Sequence, residues 1–304
     1  MQDIRPVQRK VRTLKALRGV LNVWNTLAVN RYRRYSPIAS GYRAFLERLR
    51  EVAGYLVRTG PRQGSELLRE REETRVDLLI LTSDRGYVGG FVEAVLKETV
   101  SFIGRNPGKD FRLFVVGKRW SQTIPAEVFE GVLTKDVDWS AVEKVGEVLI
   151  SRFRNGFSDA CYVIFQRPAK DTPAGGGLAK IQGTTVSIEQ APLLYGVFEH
   201  PYESGFSSGP EAGGYRPLTL RFLPPQAKET PRSALNIEGD EDMFVEGVLR
   251  MYLEVFLKSV FLDHFTALNL ARQRTLRRVM KKHRRKTDPL QEPHQQTQAG
   301  EDKQ

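Results

Sequence analysis

Cysteine and histidine are scarce in this 304-residue sequence, which has one cysteine, Cys161, and four histidines. A single cysteine cannot form an intrachain disulfide, and this excludes the class of secreted proteins held together by disulfides. So few thiols and imidazoles also leave little material for a zinc site. We therefore expect a protein of a reducing compartment that holds neither a metal nor a disulfide.

Long apolar runs are missing as well. No stretch reaches the ~20 consecutive apolar residues that a membrane-spanning helix needs, and the basic residues 1–18 lack the apolar core of a secretory signal. Positive charge, in contrast, is in excess, because 47 lysines and arginines against 36 acidic residues give a net charge of +11. We expect a soluble protein without membrane insertion, and a basic one.

The two ends of the chain have the apolar spacing of long helices. Near the N-terminus apolar residues recur every three or four positions, the spacing of a coiled-coil seam. The pattern resumes over residues 42–56, and we expect Pro37, between the two stretches, to kink or break the helix. A second long helix is predicted from Asp240 to about residue 283, with acidic residues at its start and a basic end. The N-terminal seam consists of Val7, Val11, Leu14, Leu17, Leu21, Trp24 and Ala28.

Between these helices the pattern alternates strands and helices. Continuous apolar runs predict strands that are covered on both faces, and their order implies right-handed crossovers within a small parallel sheet. The strands are predicted at residues 76–81, 111–116 and 160–165, with helices at 91–103 and 139–153 and a last strand at 184–188. The fold class is therefore α/β, with the two long terminal helices forming an antiparallel coiled coil around a small Rossmann-like parallel-sheet domain.

Five segments follow from these patterns. We name the terminal helices the shaft and the sheet domain the foot. The segments are an N-terminal shaft helix (1–58), the foot (59–199), a flexible insertion rich in Gly, Pro and Ser (200–238), a C-terminal shaft helix with a basic end (239–286), and a disordered tail (287–304). The composition of the insertion and of the tail is typical of loops and of disordered chain.

A glycine-rich turn follows the first predicted strand. It comprises Ser83, Asp84, Arg85, Gly86, Tyr87, Val88, Gly89 and Gly90. Doubly wound sheets bind phosphates at this place, but neither G-x-G-x-x-G nor G-K-S/T is present. We therefore interpret the glycines as supplying backbone freedom, and Asp84 and Arg85 as residues that cap the next helix and pair locally. No side chains have the arrangement for acid–base or nucleophilic catalysis, and we predict no active site, no cofactor and no metal.

Three isolated residues have simple structural interpretations. His264, beside Asp263 on the C-terminal helix, is predicted to lie on the surface. Cys161, within an apolar strand, is interpreted as a small buried hydrophobe. Asp77, in the first buried strand, is expected to be paired or to lie near the end of the strand.

The turn resembles that of a known family. The run TRVDLLILTSDRGYVGGFVEAVLKE is similar to the strand, turn and helix that carry the signature S/T-D-R-G-L-C-G-G-F/L-N in the gamma subunit of F-type ATP synthases. Tyr87 and Val88 replace Leu-Cys, and Val92 replaces Asn. Of the matching segments, only this turn signature is specific to the family.

The helices at both ends are also similar to that family. QRKVRTLKALRGVLNVWNTLAVNRYRRYS keeps the spacing of its N-terminal helix, with Arg31, Arg33 and Arg34 on the family's basic cluster. VLRMYLEVFLKSVFLDHFTALNLAR is similar to the start of its C-terminal helix, with Arg272 on a matching position. The family's C-terminal helix continues to an R-Q-x-x-I-T-x-E-I/L tail, whereas here it becomes polybasic and ends near Lys286. The sequence thus resembles a divergent or alternative-type member with a shortened C-terminal helix.

This resemblance implies a central-stalk rotor that has no catalytic site of its own. The shaft would turn inside a hexamer of alpha and beta subunits, and the foot would rest with the epsilon subunit on the c-ring of the membrane sector, at the cytoplasmic face of the cell inner membrane. It would couple ion-driven rotation to the catalytic beta subunits, with H⁺ or Na⁺ as the ion. The turn would serve structure and contacts with neighbouring subunits. Hexamer contacts are expected at Arg31, Arg33, Arg34, Arg272 and Arg277.

Three alternatives stand beside the rotor. Clustered Lys and Arg gain affinity for nucleic acid by releasing phosphate counterions, and the run Arg31-Tyr32-Arg33-Arg34-Tyr35 could stack on bases. The basic end of the last helix, residues 272–286, would then do the binding. A charge run can also be a solvated face. An enzyme that uses the carboxyl edge of the sheet ranks last, because a catalytic set is lacking.

Overall fold

The computed structural model describes residues 5–59, 65–120, 124–169, 214–225 and 241–287. The predicted strand at 184–188, the tail beyond residue 287 and much of the predicted insertion lie outside these residues. In chain order the elements are α1 (Arg5–Thr59), a short 3-10 helix (Glu66–Leu68), β1 (Arg75–Leu81), α2 (Phe91–Gly104), β2 (Asp110–Val116), β3 (Glu127–Phe129), α3 (Trp139–Arg154), β4 (Ala160–Pro168), β5 (Tyr215–Leu223) and α4 (Glu241–Thr287). The α/β class and the two long terminal helices are confirmed.

The five strands form one sheet in the order β3-β2-β1-β4-β5. Four of them run parallel, and β5 pairs antiparallel with β4. The sheet is therefore mixed, with an antiparallel strand at its edge. We predicted residues 215–223 as part of a flexible insertion, and this is wrong. Leu218, Leu220 and Phe222 alternate with more polar residues, which is the pattern of a strand that packs through one face.

The sheet is covered on both faces, as the apolar run of β1 predicted. Leu79 and Leu81 belong to the large core that also contains residues of α1, α3 and α4. Leu78 and Ile80 point the other way, into a smaller cluster with Val95 of α2. The foot is thus a three-layer arrangement in which α2 lies on one face of the sheet and α3 and α4 lie on the other. Within the described residues, no helix combines the length and apolarity needed to cross a bilayer.

The two long helices pack against each other and run in opposite directions. Arg31 of α1 lies near Arg272 of α4, whereas Tyr42, further along α1, lies near Lys258, earlier in α4. The buried α1 positions recur at spacings of seven, four and three residues, which is a coiled-coil spacing. They are Leu21, Ala28, Tyr35, Ala39, Leu46 and Leu49.

The N-terminal seam differs from the predicted one in part. Leu21 and Ala28 are buried, but Leu17 and Trp24 are 39% and 43% exposed, because α4 covers only one side of the broad apolar face of α1. The predicted break at Pro37 does not occur, and α1 continues through it. Tyr35 and Ala39 on either side of Pro37 are buried, and this packing outweighs the loss of one backbone hydrogen bond.

A buried carboxylate ties the shaft to the foot. Asp263 of α4 is fully buried and pairs with Arg43 of α1 and with Arg167 of β4, the latter at 2.6 Å. Beside it, His264 is also fully buried, so the prediction of a surface histidine is wrong. Its Nδ1 accepts the backbone N–H of Gln166 at 3.1 Å, and its Nε2–H donates to the carbonyl of Thr82 at 2.8 Å. These partners fix a neutral imidazole that joins α4 to the ends of β1 and β4.

Acid should weaken the attachment of α4 to the sheet through His264. Burial lowers the pKa of His264 from 6.5 to about 4, so the folded chain keeps a neutral ring between these values. Above pH 6.5 the ring is neutral in the unfolded chain as well, and the full stability is present. As the pH falls from 6.5 towards 4, the unfolded chain takes up a proton that the folded chain does not, and up to roughly 3 kcal/mol of stability is lost. Urea unfolding at pH 7.5, 6 and 5 measures the loss. A His264→Gln variant with the same pH slope as the natural chain would contradict this origin.

Candidate functional site

The candidate site is the turn, residues 82–90, together with the parts of the shaft that touch it. Ser83 Oγ donates to the carbonyl of Arg85 at 2.7 Å and accepts its N–H at 3.3 Å. Asp84 accepts the backbone N–H groups of Gly131 and Leu133 at 3.3 and 3.2 Å. Asp84 therefore ties the turn to the loop after β3. It does not cap α2 as we predicted, because the N-cap of α2 is Gly90.

The base of the turn depends on a glycine of the neighbouring strand end. Gly117 has a φ of 107°, and a Cβ there would lie 2.6 Å from Thr82 Oγ1 and 2.9 Å from Ser83 N. Gly117→Ala should therefore cost roughly 2–4 kcal/mol, from backbone strain and steric overlap together. Gly108 is the matched control, since it has a φ of 85° but no atom within 4 Å of the added Cβ. Urea unfolding of both alanine variants measures the difference, and equal losses would show that the turn does not depend on close packing.

The tip of the turn rests on both helices of the shaft. Tyr87 adopts a φ of 60°, in the left-handed region, and its ring meets Trp24 of α1 edge to face at 5.2 Å. Gly89 faces α4, where an added Cβ would lie 3.1 Å from Thr275 Oγ1. The backbone of the turn is thus held against α1 and α4 at one level of the shaft. We call this contact region the junction.

Positive charge converges at the junction. Arg272 of α4 is 7% exposed, and its Nη2 donates to Ser83 Oγ at 3.4 Å. Burial, together with the nearby charges of Arg31 and Arg85, lowers the pKa of Arg272 to about 10. No carboxylate in the described part of the chain forms an ion pair with Arg272. The junction is therefore electropositive, and an anionic partner surface complements it.

The predicted contact residues divide into two groups. Arg272 is buried and holds the turn, and Arg31 is half-buried beside it. Arg33, Arg34 and Arg277 are exposed on the shaft, where they can meet a partner directly.

An apolar stripe beside these arginines was missed from the sequence, where two of its residues, Leu17 and Trp24, were assigned to the helix–helix seam. Leu17, Val20, Val23, Trp24 and Leu27 of α1 are between 39% and 59% exposed. An exposed apolar stripe flanked by charge is typical of a protein–protein contact. The described residues contain no group of three or more His, Cys, Asp or Glu side chains placed to hold a metal ion.

Comparison with known proteins gives one consistent result. A family model described as ATP synthase matches residues 3–292. The ATP synthase gamma chain of Aquifex aeolicus is 26% identical over 168 residues, which are 53% of this chain and 58% of that one. The chain thus matches somewhat more than half the length of that relative. The ATP synthase gamma chain of Saccharopolyspora erythraea is 24% identical over 286 residues, 91% of this chain and 85% of that one.

A solved structure shares the fold. The rotor of the Euglena gracilis mitochondrial ATP synthase superposes with a TM-score of 0.52 over 98% of both chains, at 12% sequence identity. At so low an identity the similarity concerns the fold alone, that is, the long terminal helices and the sheet domain between them.

Proposed function

This chain belongs to the ATP synthase family, and on that premise we propose that it is the central-stalk rotor, the gamma subunit, of an F-type ATP synthase. The observation that carries the proposal is the pair of long antiparallel helices that bracket an α/β foot and are fixed to it by buried polar contacts. Such a pair is stiff along its length. A stiff rod fixed to a compact base can carry torque.

In this proposal α1 and α4 form an antiparallel coiled coil that serves as the axle inside a hexamer of alpha and beta subunits. The axle presents a different face to each beta subunit and favours a different conformation in each, which is rigid-body coupling between distant sites. The foot rests on the c-ring together with the epsilon subunit, at the cytoplasmic face of the cell inner membrane. ATP chemistry belongs to the beta subunits.

The arginines at the junction and on the shaft beside it take different roles. Arg31, Arg33, Arg34 and Arg277 face acidic surfaces of the hexamer, and the exposed stripe of α1 supplies apolar contact beside them. Arg272 acts indirectly, because it holds the turn through Ser83 and places Arg85 at the surface. Charge pairs of this kind orient a partner without rigid interlocking, and salt screens them. The turn serves structure and subunit contacts.

Assembly tests the proposal. The chain is co-expressed with the alpha and beta subunits of the same organism, and the tagged beta subunit is purified in 0.15 M salt. We expect this chain to co-purify as one copy per hexamer and to raise the ATPase rate of the hexamer.

The exposed basic residues at the end of α4, which include Arg277, Lys281 and Lys282, favour the alternative of nucleic-acid binding. Retention on DNA that an alpha–beta hexamer does not compete away, together with failure to assemble, would establish that alternative.

A further inference from the structure

A second concentration of arginine lies at the other edge of the sheet, away from the junction. Here a cleft of about 460 Å³ is lined by four arginines and one carboxylate, together with Asn155 and Gly156; the charged residues are Arg69, Arg71, Arg75, Arg154 and Glu66. Arg75 is the first residue of β1 and Arg154 the last of α3, so the cleft opens at the amino edge of the sheet. We call it the arginine cleft. Rotor function assigns no role to it.

Arg71 is built into the wall of the cleft. Its side chain is 15% exposed, its Nη1 donates to the carbonyls of Phe153 and Ser158 at 2.7 and 3.0 Å, and its guanidinium lies 4.6 Å from the centroid of the Phe153 ring. The carbonyls at the carboxyl end of α3 would repel an anion. Arg71 donates to one of them, that of Phe153, and to the carbonyl of Ser158 in the loop after α3, and it keeps a positive charge at the cleft.

The Glu66 carboxylate occupies the position at which two guanidinium groups of the cleft meet. Its carboxylate accepts from Arg71 Nη2 at 3.1 Å and from Arg69 Nη1 at 3.3 and 3.5 Å. Glu66 and Arg69 are 53% and 64% exposed, and ion pairs as exposed as this are weak. Glu66 pairs with only two of the four arginines, so an external anion that contacts more of them can displace its carboxylate and take both guanidinium groups.

The remaining two arginines are held in place with donors to spare. Arg75 pairs with Asp159 at 2.8 Å, and Arg154 pairs with Glu246. A guanidinium has five N–H donors, and a single carboxylate uses two at most in a bidentate pair. Both groups can therefore keep their partners and still donate into the cleft.

We propose that the arginine cleft binds a phosphate group, either that of a soluble phosphate compound or that of an anionic phospholipid headgroup. Several guanidinium forks that converge from different elements suit the tetrahedral oxygens of phosphate, each fork taking two of them. Phe157, next to the cleft-lining Gly156, is 60% exposed and offers an apolar contact to the part of a lipid beside its headgroup. The proposal is independent of rotor function.

Binding to the full chain tests the proposal. The probes are inorganic phosphate and pyrophosphate, by calorimetry, and vesicles of phosphatidylglycerol with phosphatidylcholine, by flotation at 0.15 M salt against phosphatidylcholine alone. Because the whole chain is basic, the readout is the difference between variants. Arg69→Gln should weaken binding about tenfold, which corresponds to one charge-assisted hydrogen bond. Glu66→Gln, which removes the competing carboxylate, should strengthen it.

The matched control is Arg105→Gln. Arg105 pairs with Glu98 on the foot, outside the cleft, so its substitution removes the same charge and should leave binding unchanged. If only phosphatidylglycerol vesicles respond to Arg69→Gln, and Phe157→Ser also weakens flotation, the phosphate is that of a headgroup. If the soluble anions respond, it is a soluble phosphate compound. Absence of binding to the soluble anions and to the vesicles alike, or equal effects of Arg69→Gln and Arg105→Gln, would overturn the proposal.

Discussion

Reversing the charge of Arg33 and Arg34 should lower the ion transport obtained per ATP hydrolysed roughly tenfold in the assembled synthase, because exposed charge pairs contribute up to about 1 kcal/mol each and two of them are lost together. Both side chains are exposed on α1, so their replacement by glutamate leaves the shaft folded. The new glutamates would face the acidic surfaces that we propose for the hexamer, and like charges would then repel each other. ATP hydrolysis should fall much less than transport.

The measurement uses inverted membrane vesicles that contain the complete complex. A potential-sensitive dye reports H⁺ and Na⁺ transport alike, and ATP hydrolysis is followed in the same sample. The control reverses two exposed lysines of the foot, Lys97 on α2 and Lys144 on α3, so that the change in net charge is the same. A ratio of transport to hydrolysis that is unchanged in Arg33→Glu/Arg34→Glu would show that these arginines make no coupling contact.

Asp263→Ala should strongly destabilise the folded chain. Asp263 is fully buried between Arg43 and Arg167, whose side chains are 17% and 14% exposed. Removal of the carboxylate leaves two poorly solvated cations close together, and loss of one partner of a buried pair costs about 3–5 kcal/mol. The loss is measured by urea unfolding of the full chain.

A second ion pair on the same helix provides the control for Asp263. Glu254 pairs with Lys258 one turn away and is 52% exposed, so Glu254→Ala should cost about 0.5 kcal/mol or less. Asp263→Asn keeps the shape of the side chain and should lie between the two alanine variants. If Asp263→Ala were no more harmful than Glu254→Ala, the shaft would not be joined to the foot through this carboxylate.

The long elements could be predicted from the sequence because each carries its own periodic signal. The apolar runs of β1, β2 and β4 and the spacing along α1 and α4 are local patterns, and these elements form where the patterns predict them. β5 carried the alternation of Leu218, Leu220 and Phe222, but a surrounding segment rich in Gly and Pro obscured it. Pro37 was overestimated as a helix breaker, because the packing of its neighbours on a distant helix has no local signature.

The chemistry of the site was harder to predict, since it depends on contacts between residues far apart in the chain. The family's turn signature located residues 83–90, but it gave no sign that Asp84 would bind the loop after β3. His264 has an ordinary helical sequence context, and only its partners Thr82 and Gln166 explain its burial. The arginines of the cleft are spread over residues 69–154 and converge only when α3 packs beside β1.

Direct observation of rotation is the best test of whether this chain is a rotor. Cys161 is buried, so a cysteine introduced at exposed Lys144 of α3 takes a bead selectively on the foot. The complex with alpha and beta subunits is fixed to a surface through the beta subunits and supplied with ATP. If the chain is the rotor, the bead turns continuously in one direction. A complex that hydrolyses ATP while a firmly attached bead stays still would contradict it.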